Sequence, residues 1–200
     1  MSVPRLKELE QRLERTEQQL RLFQRISRFM VRELSLAEVL KGIVGLVTEF
    51  TACDSCLLYL IDNAELVLCA SQPQHPLQVG RVRLKMSEGL TGWVARERRL
   101  LAISREAYND PRFKYFSDLP EDAFESFLSA PVIARNRVVG VINVQHKMQH
   151  AHSGSEMELL TTVGEQVGCL LVLSRMPPAA IEEANHVDLV LSSGPPAKQF

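Results

Sequence analysis

Residues 138–144 read Val-Val-Gly-Val-Ile-Asn-Val, apolar at nearly every position. A strand with one wet face alternates apolar and polar residues, so a strand of this kind must be covered on both sides. Residues 127–134 form a second long β-prone run, and the tight Arg135-Asn136-Arg137 turn joins the two. The centre of the molecule is therefore an antiparallel pair with a layer above it and a layer below it.

Helices for one layer are easy to find. Residues 5–33 contain no Gly or Pro and carry apolar side chains three and four apart, which predicts a long helix. Ser35 and Glu38 have capping-box spacing, so a second helix starts there and carries Leu36, Val39, Leu40, Ile43, Val44 and Val47 to about residue 50. Ser153 or Ser155 caps a last helix that runs to residue 174. It contains Gly164-x-x-x-Gly168, and each glycine costs about 1 kcal/mol against alanine in a helix interior. Close approach of another helix, the first one, is expected to compensate.

Between these helices lie more strand signals: residues 55–61 and 65–71 around an Asp62-Asn63 turn, 81–85, and 100–103. Residues 87–99, entered through Gly89 and Gly92, predict a short helix. Residues 104–120 form a long polar and aromatic loop, with a short helix near 121–126. Loops of that length in compact domains are usually functional or disordered, and Tyr108, Phe113, Tyr115 and Phe116 are too many aromatics for disorder. The fold class is α+β: an antiparallel central sheet of about six strands, with the N- and C-terminal helices on one face. The short helix and long loop cover a pocket on the other. The chain divides into a helical dimerisation stalk at 1–34, a globular domain at 35–175 and a flexible Pro-, Ser- and Ala-rich tail at 176–200.

Charge and composition exclude several functions. A net charge of -1 leaves no basic field for nucleic acid. The N-terminus lacks the apolar core of a secretory signal, and the apolar runs at 56–61 and 169–173 are far short of the roughly 20 residues that span a bilayer. The expected location is cytoplasmic, with no membrane partner. No nucleophile elbow, phosphate loop or zinc-protease helix is present, so no enzyme is expected. Cys53-x-x-Cys56 lacks a second pair, and Cys53, Cys56, Cys69 and Cys169 read as buried thiols. His146, His150 and His152 are transition-metal ligands by residue type. Lys147, Gln149 and Ser153 surround them as in a solvated loop, and no metal is assigned.

Four phrases in order complete the reading: Ser-Glu-Gly-Leu-Thr-Gly-Trp-Val-Ala at 87–95, Asn-Asp-Pro-Arg-Phe at 109–113, Ser-Ala-Pro-Val-Ile at 129–133 and Val-Gly-Val-Ile-Asn-Val at 139–144. Together they resemble the GAF domains of bacterial signalling proteins, most of all the GAF sensor domain of the nitrogen-related phosphotransferase enzyme I. The resemblance implies a sensor fold with a small-molecule pocket between sheet and long loop, and dimerisation through flanking helices. Cyclic-nucleotide-binding members carry a dispersed Asn-Lys, Phe, Asp-Glu motif. Here those places hold His146-Lys147, His152 and Glu156-Met157, which keep only Lys147. Bilin-carrying members need a loop cysteine, and residues 104–125 contain none. The GAF-fold free methionine sulfoxide reductases need cysteines beside the pocket, which the loop also lacks. The cofactor and ligand stay unnamed.

Two readings of the 109–113 phrase stand side by side. Asp110-Pro111 favours a turn and Phe113 can plug the core, or Arg112 faces the cavity as a bidentate donor for an anionic ligand. The remaining candidate ligand contacts are Asp110, Phe113, Tyr115, Trp93, Ser129 and Asn143; Asn143 needs a partner wherever it is buried. On the stalk, Leu6, Leu13 and Leu20 fall at heptad position a, and Leu9, Thr16, Phe23 and Met30 at d. A parallel homodimer then pairs Arg5 with Glu10 and Arg12 with Glu17 across the seam. The expected function is sensory: a small molecule or partner binds, the paired helices signal, and the output lies on a separate protein. A self-filled scaffold and a thiol reductase using Cys53 and Cys56 are the rivals. An open polar pocket lined by Arg112 separates the sensor from the scaffold.

Overall fold

A computed structural model of the chain describes residues 3–32, 34–114 and 124–175. The helices are α1 (Val3–Met30), α2 (Leu36–Thr51), α3 (Gly89–Glu97) and α4 (Gly154–Ser174). The strands are β1 (Ser55–Asp62), β2 (Glu65–Gln72), β3 (Arg83–Lys85), β4 (Leu101–Ile103), β5 (Ser126–Ala134) and β6 (Arg137–His146). They form one six-stranded sheet in the order β3-β2-β1-β6-β5-β4, antiparallel at each pairing. β6 is thus central, as its composition requires. Ile142 and Val144 enter the core beneath α2 and α4, while Val141 points into the core beneath α3.

Both anticipated capping boxes are present, Ser35 with Glu38 and Ser153 with Glu156. The turns shift by one residue. Asp62 pairs with Glu65, leaving Asn63 and Ala64 as the loop, both at positive φ (48° and 66°). A tight two-residue hairpin of this kind needs two such positions. For the same reason the β5–β6 loop is Arg135-Asn136 and Arg137 belongs to the strand. A short 3-10 turn at Ala107–Asn109 interrupts the long loop. Of the short helix expected near 121–126, residues 121–123 lie outside the described residues, while 124 and 125 are not helical and Ser126 opens β5. The tail at 176–200 also lies outside them.

α1 has two halves. Leu22 and Ile26 are buried in the same core as α2 and α4, whereas Leu6, Leu9, Leu13 and Leu20 are exposed. Phe23, expected at the dimer seam, packs partly against that core.

The glycines of α4 do not meet α1, and the expected packing needs correction. A Cβ on Gly164 would lie 2.9 Å from the Pro131 carbonyl oxygen, and one on Gly168 would overlap the Ile133 carbonyl oxygen. The compensating partner is the backbone of β5, on which α4 lies directly. By length and composition this 21-residue helix would pass for a membrane span. Its apolar side, with Leu159, Leu160, Val163 and Val167, is instead buried against the sheet. Cys169, read as buried, is exposed on the same helix because it lies on the side away from β5.

Candidate functional site

The second sheet face is built by α3 and residues 104–114. Gly89, at φ 68°, starts α3, and a Cβ there would stand 3.3 Å from Cβ of Lys114. At Gly92 a Cβ would come within 2.9 Å of the carbonyl oxygens of Lys85 and Met86. These close approaches hold the start of α3 against both the end of β3 and the long loop. Thr91 is thereby set over β6.

Under α3 lies a buried polar chain. The Ser129 hydroxyl donates to Asn143 Oδ1 at 2.7 Å, and Asn143 Nδ2 donates to the Thr91 hydroxyl at 2.9 Å. All three residues are buried, so the partners that Asn143 requires come from β5 and α3. Two positions along β6, on the same face, Gln145 is buried with Oε1 lacking a hydrogen-bond partner among the described residues. Asn143 and Gln145 line a cavity of about 30 Å³, which Tyr59, Phe113 and Phe127 narrow. Such a volume admits about one or two water molecules.

Arg112 does not line this cavity. Its Nε and Nη2 donate to the two carboxylate oxygens of Asp110 at 2.8 and 2.7 Å, and the guanidinium stacks 4.6 Å above the half-buried Trp93 ring. Asp110 also accepts the Arg112 backbone N–H at 2.9 Å. The Arg112 side chain holds the Asp110 carboxyl below its usual range, and Asp110 raises Arg112 in turn. The planar fork that suits an external anion is occupied within its own loop. Next to it, Lys114 Nζ donates to Glu88 at 3.0 Å. Glu88 also accepts the Lys85 backbone N–H, and these bonds, the backbone one foremost, lower its carboxyl pKa.

Of the candidate residues, the structure brings Asn143 and Phe113 to the cavity and sets Ser129 behind Asn143. Asp110, Arg112 and Trp93 form a separate clamp on the loop, and Tyr115 lies outside the described residues. Thr91, Tyr59, Lys114 and Gln145 were missed. Gln145 was legible: it stands two residues after Asn143, the repeat that sends two strand side chains to one face.

The sequence profile of the GAF domain matches residues 35–171. The chain belongs to the GAF domain family. A GAF domain from an Acinetobacter phosphoenolpyruvate-protein phosphotransferase superimposes with a TM-score of 0.70 at 29% identity, covering 82% of this chain and 97% of the other. The corresponding domain of the Coxiella burnetii phosphotransferase gives 0.74 at 26% identity, over 80% and 95%. In sequence, an Escherichia coli K12 protein of the phosphoenolpyruvate-dependent phosphotransferase system is 29% identical over 123 residues. That match covers 60% of this chain and 16% of the E. coli protein. GAF domains are typically regulatory and sensory modules, and this chain shares their architecture.

Cys53 and Cys56 are buried in this GAF domain, and burial raises both thiols. That is the wrong environment for a thiolate nucleophile. The reading of the histidines as members of a solvated loop needs correction. His146 and His152 are buried, because β6 carries the first inward beside the start of α4 and the connecting loop folds the other over it. Burial lowers both imidazoles, His152 to about 4, and the neighbouring His150 adds to the effect.

Proposed function

We propose that this GAF domain is a non-enzymatic, cytoplasmic sensory module that binds a small polar molecule and signals as a homodimer paired through α1. The observation that carries the reading is the polar floor of the cavity. Asn143 is oriented by Ser129 and Thr91, while Gln145 Oε1 has no partner among the described residues. Unpaired buried polar atoms are rare in folded proteins, and a ligand group or ordered water is the usual remedy. The exposed Leu6, Leu9, Leu13 and Leu20 stripe supports pairing of two copies, and Arg5 with Glu10 and Arg12 with Glu17 supply complementary charges for a parallel seam. The phosphotransferase relatives support a phosphotransferase system as the setting, with the output on another domain or protein.

At about 30 Å³ the cavity admits a metabolite only when its walls move apart. That small volume favours a second reading, a self-filled scaffold that only dimerises. Mass spectrometry of compounds released from the natively purified chain distinguishes them. The sensor reading expects a released compound that raises the melting temperature of the wild type and not of Gln145→Leu. If nothing is released, and a panel of small polar metabolites leaves the melting temperature unchanged, the scaffold reading stands.

A further inference from the structure

Where β6 ends and α4 begins, on the sheet face opposite the cavity, three imidazoles converge from a short stretch of chain. His146 is the last residue of β6, and His150 and His152 lie in the loop before the α4 cap. One ring nitrogen from each forms a set whose members all lie within 4.8 Å of one another. The rings of His146 and His150 stack at 4.1 Å between centroids, and those of His150 and His152 meet edge-on at 4.9 Å.

Two further observations point to a ligand. First, His146 and His152 are more than nine-tenths buried (8% and 9% exposed), yet His146 Nε2 and both ring nitrogens of His152 lack hydrogen-bond partners among the described residues. The Ile103 backbone approaches the His152 ring but completes no hydrogen bond to it. Three of the six unpartnered buried side-chain polar atoms among the described residues belong to this cluster. Second, His150 already has an outer carboxylate partner and an anchored backbone. Its Nε2 meets Glu156 Oε1 at 2.8 Å, and its backbone N–H donates to the Ser104 carbonyl at 3.0 Å. Glu156 is itself fixed, since its Oε2 accepts the Ser153 N–H of the capping box at 2.7 Å. A carboxylate on one imidazole nitrogen, leaving the other free to coordinate, is the usual outer arrangement of a metal-bound histidine.

We propose that His146, His150 and His152 form a binding site for a late first-row divalent cation of the Zn²⁺ class, with Glu156 as the positioning carboxylate behind His150. Imidazole nitrogen suits this class, and three histidines with solvent at a fourth position make a familiar ligand set. Two carboxylates provide the negative surroundings that a cation needs: Glu156 Oε1 lies 2.8 Å from His150 Nε2, and Asp54 Oδ2 accepts the backbone N–H of Lys147, the residue after His146, at 2.7 Å. Metal–nitrogen bonds of about 2.0–2.1 Å place tetrahedral ligand atoms about 3.3 Å apart, so nitrogens now within 4.8 Å of one another close by up to about 1.5 Å on binding. The His150 ring tips out of its stack with His146 to do so, because the coordinating lone pair lies in the ring plane. His150 can make this movement: it is only half-buried and sits on the loop.

The test uses the untagged full chain, stripped with chelator and titrated with ZnCl₂ by calorimetry and with Co²⁺ by absorption spectroscopy. The expected result is one saturable Zn²⁺ per chain and a Co²⁺ spectrum of nitrogen and oxygen ligands without a thiolate charge-transfer band. His150→Ala and His152→Ala remove the saturable phase. His150→Ala carries the test should loss of the buried His152 disturb folding, which circular dichroism would reveal. Glu156→Gln keeps a capping-box side chain and is expected to weaken binding about 10- to 100-fold. The proposal is overturned if the wild type shows no saturable site, if His150→Ala binds as the wild type does, or if a thiolate band assigns the metal to a cysteine.

Discussion

The seat of α4 on β5 can be tested with single methyl groups. Gly→Ala in a helix interior ordinarily stabilises by about 1 kcal/mol, since alanine loses less backbone entropy on folding. Gly45, inside α2, has nothing within 4 Å of an added Cβ, so Gly45→Ala is expected to give that full gain. At Gly168 the new methyl would overlap the Ile133 carbonyl oxygen and stand 2.8 Å from the carbonyl carbon. Both atoms belong to the backbone of β5, which pairs with β6 at this point, Ile133 opposite Val138, so neither yields as a flexible side chain would. Overpacking of this kind costs about 1–3 kcal/mol, and a backbone obstacle belongs at the upper end. Gly168→Ala is therefore expected to lose about 2 kcal/mol net, and the two variants to differ by about 3 kcal/mol. For a chain of this size that separates their melting temperatures by roughly 6–12 °C. Urea unfolding followed by far-ultraviolet circular dichroism measures the difference, provided the slope against denaturant is unchanged. If Gly168→Ala is stabilised as much as Gly45→Ala, α4 does not rest on β5 and the packing argument fails.

Asn143→Ala strands the buried hydroxyls of Ser129 and Thr91, and is expected to cost about 2–4 kcal/mol by the same urea assay; a change below 0.5 kcal/mol, on the order of a surface substitution, would show that the polar chain is not formed. The Asp110 carboxyl titrates below its unfolded value of about 3.9, so its pairing with Arg112 stabilises the fold above that pH and is lost as pH falls through the folded value. Arg112→Ala should raise the Asp110 titration midpoint in carboxyl NMR and flatten this acid limb, and an unmoved midpoint would mean that the clamp is absent in solution. A single cysteine at Leu13, in a background lacking the native cysteines, should form a rapid reducible crosslink between two copies if α1 pairs in parallel and in register. A dimer that sediments intact but does not crosslink would exclude that seam.

Local signals were enough to place most of the elements. The two Ser-x-x-Glu boxes, the unbroken apolar run of β6 and the Gly- and Pro-free start each depend on neighbours within a few residues, so they could be read directly from the chain. The same applies to the layer arrangement, because a strand with no polar face dictates cover on both sides. What the sequence left open were contacts between residues far apart in the chain. The partner of Gly164 and Gly168 is a carbonyl row on β5, a choice that depends on which element α4 reaches. Arg112 has the chemistry of an anion receptor, but the turn at Pro111 returns its fork to Asp110. The histidines lie within seven residues of each other and look solvated from their polar neighbours. Only the fold shows the end of β6 and the start of α4 closing over them, and burial then removes the water that would have satisfied their nitrogens.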